Sequence, residues 1–118
     1  MRNSLLSVVR RSHPSGTTVL TVTGELDHHT APELTDTLKQ TPFGPGAPVV
    51  IDLSELSFCD STGITALITA YTRANATGSR LLFTGLRPDL AHVFHTVGLD
   101  QVFTFRPTVE HALESLTS

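Results

Sequence analysis

Apolar and polar residues alternate along the first part of the chain in the way expected of β-strands. Residues 5–11 carry this pattern, and residues 17–23 set valine and leucine among threonines, a mixture that suits a pleated, half-buried surface. The segment 13–16 between them contains proline, serine and glycine, which are residues of tight turns. The two strands are therefore predicted to form a hairpin.

After residue 26, segments with helical periodicity alternate with short continuous apolar runs. Thr30 is predicted to cap a first helix, with Pro32 and Glu33 in its first turn. Its buried side is expected to carry Leu34 and Leu38. The proline- and glycine-rich segment 41–48 then reads as a loop. Later strands are expected at residues 49–53 and 81–83, which have the apolar runs of buried strands, and a short edge strand at 102–103.

Two further helices are predicted from apolar residues at i, i+3, i+4 and i+7 spacing. One begins at Ser61 or Thr62 and ends near Ala76, and the other begins at Pro88 and is closed by Gly98. Their buried faces are expected to comprise Ile64, Leu67, Ile68 and Tyr71 in the first, and Leu90, Val93, Phe94 and Val97 in the second. With a last helix over 108–116, this order predicts an α/β domain: a mixed sheet of four to five strands backed by about four helices.

Composition narrows the classes of partner. The 118 residues are 39% hydrophobic with a net charge of −3, and the sequence pI is about 6.0. This balance argues against direct binding of nucleic acid or anionic membranes. No apolar stretch approaches the roughly 20 residues of a membrane span. The single cysteine, Cys59, is expected to be a small buried hydrophobe in a cytosolic, reducing compartment.

Residues 57–64, Ser-Phe-Cys-Asp-Ser-Thr-Gly-Ile, concentrate hydroxyls and a carboxylate where a strand meets a helix. Asp60 or Ser61 can cap that helix by accepting an amide hydrogen bond. A hydrolase nucleophile elbow would require G-x-S-x-G, but position 59 is cysteine. An aspartic-protease motif is interrupted by Thr62. A phosphate on Ser61 would lie at the positive end of the helix and add about two negative charges there. The capping and phosphoacceptor hypotheses both remain open.

Other polar residues give weaker signals. Ser61, Thr65, Thr69 and Thr72 share one side of the predicted helix, as either an uncharged protein-binding stripe or a solvated flank. Asp89, His92 and His95 recur every third residue, but they lie opposite the apolar face and are expected to be solvated. No metal or other cofactor is predicted, because no spacing of zinc or catalytic ligands occurs.

Two segments in order carry a family resemblance: Gly-Glu-Leu-Asp-His-His-Thr-Ala at 24–31 and Leu-Ser-Phe-Cys-Asp-Ser-Thr-Gly at 56–63. With the strand 49–53 between them, they resemble the STAS domains of anti-anti-sigma factors (anti-sigma factor antagonists), and most closely those of the sporulation type of bacilli. The resemblance extends over nearly the whole chain and implies a single STAS domain at 1–118.

The resemblance implies a non-enzymatic partner switch. Such proteins bind an anti-sigma factor that is also a serine kinase, and so release a sigma factor. The kinase phosphorylates the serine after the motif aspartate, here Ser61, which switches binding off, and a serine phosphatase reverses this. The implied partner-binding residues are Asp27, His28, His29, Thr30, Asp60, Ser61, Thr62, Gly63 and Thr65.

Two features leave the partner open. Thr65 stands where the family often has a second glycine, which could alter partner choice. The loop 41–48 is distinctive and has no predicted role. The alternative is a STAS interaction module of a stressosome or lipid-transport complex that has no part in sigma-factor control.

Overall fold

An antiparallel hairpin is followed by parallel strand–helix units in a computed structural model that describes residues 5–117. The strands are β1 (Leu6–Ser12), β2 (Thr18–Leu26), β3 (Val49–Asp52), β4 (Leu56–Cys59), β5 (Leu81–Thr84) and β6 (Phe105–Arg106). The helices are α1 (Ala31–Gln40), α2 (Ser61–Thr77), α3 (Pro88–Thr96) and α4 (Val109–Thr117). A 3-10 turn, Leu99–Gln101, follows α3.

The strands of residues 5–117 form one mixed sheet in the order β1-β2-β3-β5-β6, with β4 paired to β2 beyond the end of β3. β1 and β2 are antiparallel, and the other pairs are parallel. The predicted fold class is confirmed, with one more strand than expected. The sequence pattern does not predict β4 because it is short, and exposed Ser57 and Phe58 separate its two buried ends.

Helices cover the two faces of the sheet unequally. α1, α2 and α3 pack on one face, where Leu20, Ile51 and Phe83 belong to the main core. α4 packs on the opposite face against Val50 and Leu82. Alternation along β3 and β5 sends successive side chains to opposite faces, which is why these strands read as continuous apolar runs.

Small residues form much of the buried face of α2. The buried positions are Gly63, Ala66, Leu67, Ala70 and Ala74. Leu67 is buried as predicted, whereas Ile64 and Tyr71 are partly buried and Ile68 is 38% exposed. The short side chains let the helix approach the sheet closely, so the buried stripe is shifted toward the alanines. Gly78, with φ of 75°, ends the helix as expected.

Two predictions for the last third of the chain are wrong. On α3, Leu90 and Phe94 are buried as expected, but Val93 and Val97 are exposed because only one narrow stripe of this helix meets the core. The edge strand lies at Phe105–Arg106 rather than at 102–103. The amides of residues 102 and 103 instead donate to Leu99 O, at 3.0 and 2.8 Å, and so continue the turn.

The four helices of residues 5–117 include none that is both long and apolar enough to span a membrane.

Candidate functional site

Asp60 caps α2, and the side chain of the neighbouring Ser61 is exposed. The backbone of Asp60 is extended, and its Oδ1 accepts a hydrogen bond of 2.9 Å from the Gly63 amide. Its carbonyl oxygen accepts the first helical bond, from Ile64 N at 2.9 Å. Ser61 is exposed, and its hydroxyl takes part in no hydrogen bond among those of residues 5–117. Of the two candidate caps, Asp60 therefore has that role.

Gly63 allows α2 to start directly against the end of β2. A Cβ at this position would lie 2.7 Å from Leu26 O, 2.8 Å from Leu26 Cγ and 2.9 Å from Cys59 Sγ. Any larger residue would push the first turn of α2 outward, since buried backbone cannot yield cheaply. Gly63 thus sets the distance between the first turn of α2, which begins at Ser61, and the end of β2.

The pairing of β2 with β4 brings the first motif to the second. Gly24 has φ of 110°, and a Cβ there would lie only 1.7 Å from Leu5 O. The β2–β4 register shifts between Gly24 and Glu25. Gly24 pairs with Leu56 and Glu25 with Phe58, so Ser57 is an extra residue on β4. After it Leu26 pairs with Cys59, and Asp60 N donates to Leu26 O at 3.1 Å. Since both strands end at the same edge of the sheet, the segments that follow them lie side by side.

The turn after β2 is closed by Asp27 and Thr30. Asp27 Oδ1 accepts hydrogen bonds from His29 N at 2.9 Å and Thr30 N at 3.0 Å. The Thr30 hydroxyl donates to Glu25 O at 2.7 Å and accepts from Asp27 N at 2.9 Å. Thr30 occupies the N-cap position of α1 as predicted, but its side chain makes no cap hydrogen bond. Its hydroxyl bonds to β2 and the turn, and the Asp27 carboxylate accepts from the turn amides of His29 and Thr30, which precede α1.

Opposing effects set the pKa of Asp27. Desolvation is the largest single effect and raises the pKa of this carboxyl. The hydrogen bonds from Thr30 and His29 together outweigh it and hold the pKa below its ordinary value of 3.8. Asp27 is accordingly a carboxylate at neutral pH.

Most of the predicted partner-binding residues share one surface, and two lie beneath it. We call Asp27, His28, His29, Asp60, Ser61, Thr62 and Thr65 the motif surface. All of them are exposed or partly exposed. Thr30 and Gly63 are buried, Thr30 being 6% exposed, so their part is to hold the two segments in place.

Sequence reasoning did not select Phe58, which lies two residues before Asp60 on β4. This side chain is 47% exposed. An apolar residue at an exposed strand position next to the motif is the signal that could have identified it. Phe58 is thus an exposed apolar side chain close in sequence to the motif surface.

The hydroxyls along α2 are turned toward the helix backbone. Thr65 Oγ1 donates to Ser61 O at 3.0 Å, and Thr69 Oγ1 donates to Thr65 O at 3.0 Å. Both residues and Thr72 are exposed, so the predicted alignment is correct. Because their donors are spent within the helix, Thr65 and Thr69 offer a partner methyl groups and acceptor capacity.

Cys59 lies beneath the motif surface as an unreactive thiol. It is 7% exposed, and its burial together with the charge of Asp60 raises its pKa to about 12. A thiol with this pKa stays protonated at neutral pH and is a poor nucleophile. The expectation of a small buried hydrophobe is confirmed.

The histidines are distributed over separate surface positions. The rings of His28 and His29 lie 4.0 Å apart, centroid to centroid. Asp89, His92 and His95 are exposed as predicted, and His95 Nδ1 contacts the Asp100 carboxylate. Within residues 5–117, no three histidine, cysteine or acidic residues are grouped so as to hold a metal ion.

Comparison with known proteins gives a consistent picture. The STAS domain family model matches residues 9–112. The anti-sigma-B factor antagonist of Listeria monocytogenes is 32% identical over 85 residues, which are 72% of this chain and 75% of that protein. The crystal structure of an anti-sigma factor antagonist from Mycobacterium paratuberculosis has a TM-score of 0.82 and 28% identity, and the match covers 96% of this chain and 95% of that one.

A further similar structure is that of the Bacillus cell fate determinant SpoIIAA in its phosphorylated form. Its TM-score is 0.70 at 21% identity, and the match covers 93% of this chain and 99% of that one. At this identity the likeness concerns the fold.

Proposed function

This chain belongs to the STAS domain family, and from that premise we propose that it is an anti-sigma factor antagonist switched off by phosphorylation of Ser61. In its unphosphorylated form it binds an anti-sigma factor with serine kinase activity and thereby frees a sigma factor. A serine phosphatase restores the binding form. The exchange takes place in the cytosol, and the chain acts as a binding partner and phosphate acceptor rather than as an enzyme.

The observation that carries the proposal is that the Asp60 side chain caps α2 while the side chain of Ser61, the next residue, is exposed. The Asp60 carboxylate holds the Gly63 amide, and the exposed Ser61 hydroxyl is left available. A kinase can therefore approach Ser61 Oγ without disturbing the cap. Ser61 Oγ attacks the γ-phosphorus of ATP, the bond to ADP breaks, and the hydroxyl proton passes to a base of the kinase.

The phosphate is expected to change the surface more than the fold. The amides of Ser61 and Thr62 have no acceptor within the helix and favour an anion at this end. The Asp60 carboxylate opposes the same anion, so the net effect on α2 is small. Phosphorylation of Ser61 nevertheless adds about two negative charges near Asp27 and Asp60. An interface that fitted a neutral hydroxyl must then bury these charges.

The proposal is tested by incubating the chain with ATP and an anti-sigma factor kinase from the same genome, followed by peptide mass spectrometry. Phosphate is expected on Ser61 and absent from Ser61→Ala. Thr77→Ala, at an exposed position at the far end of α2, is the matched control and should be phosphorylated normally. Phosphate on another residue, or equal phosphorylation of Ser61→Ala, overturns the assignment. Binding of the kinase without any phosphorylation would instead favour a plain interaction module.

A further inference from the structure

The adjacent parallel strands β5 and β6 are followed by chain segments that lie on opposite faces of the sheet. β5 and β6 pair in parallel, with Thr84 opposite Arg106. After β5 the chain enters α3, whose Leu90 belongs to the main core. After β6 it enters α4, whose Ala112 packs against the other face. In open α/β sheets such a divergence leaves a crevice at the carboxyl ends of the strands, which is where ligands commonly bind.

A cavity of about 390 Å³ lies at this divergence. It lies within the size range of small-molecule pockets. Apolar groups make up most of its wall: Leu86, Ala91, Phe94, Phe105 and Pro107. Phe94 and Phe105 meet nearly edge to face, with ring centroids 6.2 Å apart and an angle of 72° between the rings. We call this space the β5–β6 cavity, and no residue of the motif surface lines it.

The charged groups of the β5–β6 cavity are Arg106 and Asp100. Asp100 is already in contact with His95. Arg106 is partly buried, and its Nη1 donates to Phe105 O at 2.9 Å. In the described part of the chain Arg106 forms no ion pair. The charge left unmatched in this apolar space is therefore a guanidinium, whose remaining donors suit a carboxylate in bidentate geometry.

We propose that the β5–β6 cavity binds a small apolar carboxylate. The apolar body of the ligand packs against Leu86, Phe94 and Phe105, and its carboxylate pairs with Arg106. The site is independent of phosphorylation at Ser61, so it gives this chain a second input besides the kinase.

The probes are 3-phenylpropanoate and its neutral amide, 3-phenylpropanamide, which share the same apolar body. Each is titrated into the ¹⁵N-labelled full chain, and amide shifts are followed by NMR. The acid is expected to shift the amides of Gly85, Leu86, Ala91 and Arg106. 3-Phenylpropanoate should bind about tenfold more tightly than 3-phenylpropanamide, a factor that corresponds to about 1.4 kcal/mol.

Variants separate charge recognition from simple apolar binding. Arg106→Gln should reduce the affinity for 3-phenylpropanoate to that for 3-phenylpropanamide. The affinity for 3-phenylpropanamide should not change. Arg11→Gln is the matched control, because it makes the same change of net charge on β1, at the opposite edge of the sheet. Ala91→Leu fills the cavity from α3 and should weaken both probes.

Each possible result bears on the proposal. Shifts confined to the cavity, with an acid preference lost in Arg106→Gln and kept in Arg11→Gln, support it. Equal affinities of acid and amide in the unmodified chain overturn it, as does undiminished binding to Ala91→Leu. Absence of binding by either probe, or shifts scattered over other apolar surface, also overturns it.

Discussion

Gly63 determines how closely the first turn of α2 packs on the end of β2. In Gly63→Ala the new methyl group would overlap Leu26 O and Cys59 Sγ, at 2.7 and 2.9 Å. We expect the free energy of unfolding, measured by urea denaturation, to fall by about 1–3 kcal/mol, the usual cost of overpacking. Gly46→Ala is the control, since a Cβ there meets nothing within 4 Å. Equal stability of the two variants would contradict the packing argument.

Phe58 is the residue at which an exposed apolar side chain adjoins the motif surface. If the partner covers this region, Phe58→Ala should weaken binding of the anti-sigma factor by about 2 kcal/mol, the loss typical of an aromatic anchor. Val9→Ala, on β1 and similarly exposed at 46%, should bind normally. Calorimetric titration measures both affinities. An unchanged affinity of Phe58→Ala would remove this residue from the interface.

At the scale of single residues, the sequence supports some roles and misleads about others. Asp60 and Ser61 are identifiable because capping and phosphate acceptance depend on local chain geometry. The roles of Gly24 and Thr30 depend on their contacts with Leu5 and Glu25, which only the folded chain brings together. Local patterns do not contain that information, so a buried turn hydroxyl looks like an ordinary helix cap.

At the scale of elements, Arg73 of α2 holds the end of α1 and the loop 41–48. Its Nη1 donates to Leu38 O and its Nη2 to Thr41 O at 3.1 Å. The guanidinium also lies 4.4 Å from the centre of the Phe43 ring. The loop without a predicted role is thus tied to the helix that begins at Ser61.

Replacing Arg73 tests that link. Arg73→Met should lower the free energy of unfolding by about 2 kcal/mol, because hydrogen bonds to a charged donor are lost at two carbonyls. Arg87→Met, at an exposed arginine, is the control and should change stability by less than about 0.5 kcal/mol. Urea denaturation of both variants measures the difference. Similar values would show that the contacts of Arg73 contribute nothing.

His95 and Asp100 link α3 to the turn that follows it. The hydrogen bond to Asp100, followed by its charge, raises the pKa of His95 above the ordinary 6.5, and desolvation opposes this weakly. A raised pKa stabilises the fold fully below pH 6.5, and this contribution disappears as the pH rises through the folded-state value. The melting temperature of His95→Gln should therefore fall below that of the unmodified chain at about pH 5.5 and match it at about pH 8.5. A deficit in His95→Gln that stays constant over this pH range would refute the linkage.

Elements with strong periodicity are predicted well, and those formed by pairing are not. The hairpin, the buried strands β3 and β5 and all four helices follow from their own residues. β4 and β6 exist because longer strands present free edges to them: β4 meets the end of β2 from Gly24 to Leu26, and β6 meets β5. Their own short patterns, such as that of Leu56–Cys59, contain too few positions to reveal a period.

At the scale of the whole molecule, the candidate functional sites lie at the carboxyl ends of the parallel strands. The turn at Asp27 follows β2 and the cap at Asp60 follows β4, so two distant segments of sequence make one surface. The β5–β6 cavity lies at the carboxyl ends of the last strands, on separate residues. The family resemblance implies the first arrangement, although the pairing of β2 with β4 that produces it is not visible in the sequence pattern. The cavity depends on which face each helix covers, and the sequence pattern does not specify that.

The most direct test of the central claim is calorimetric titration of the anti-sigma factor kinase into the chain, unphosphorylated and fully phosphorylated on Ser61. Mass spectrometry verifies the single phosphate, and amide NMR verifies that the fold is retained. Since a buried like charge costs several kcal/mol, phosphorylation should weaken binding by about a hundredfold. Equal affinity of the two forms, with the phosphate present on Ser61, would contradict the account.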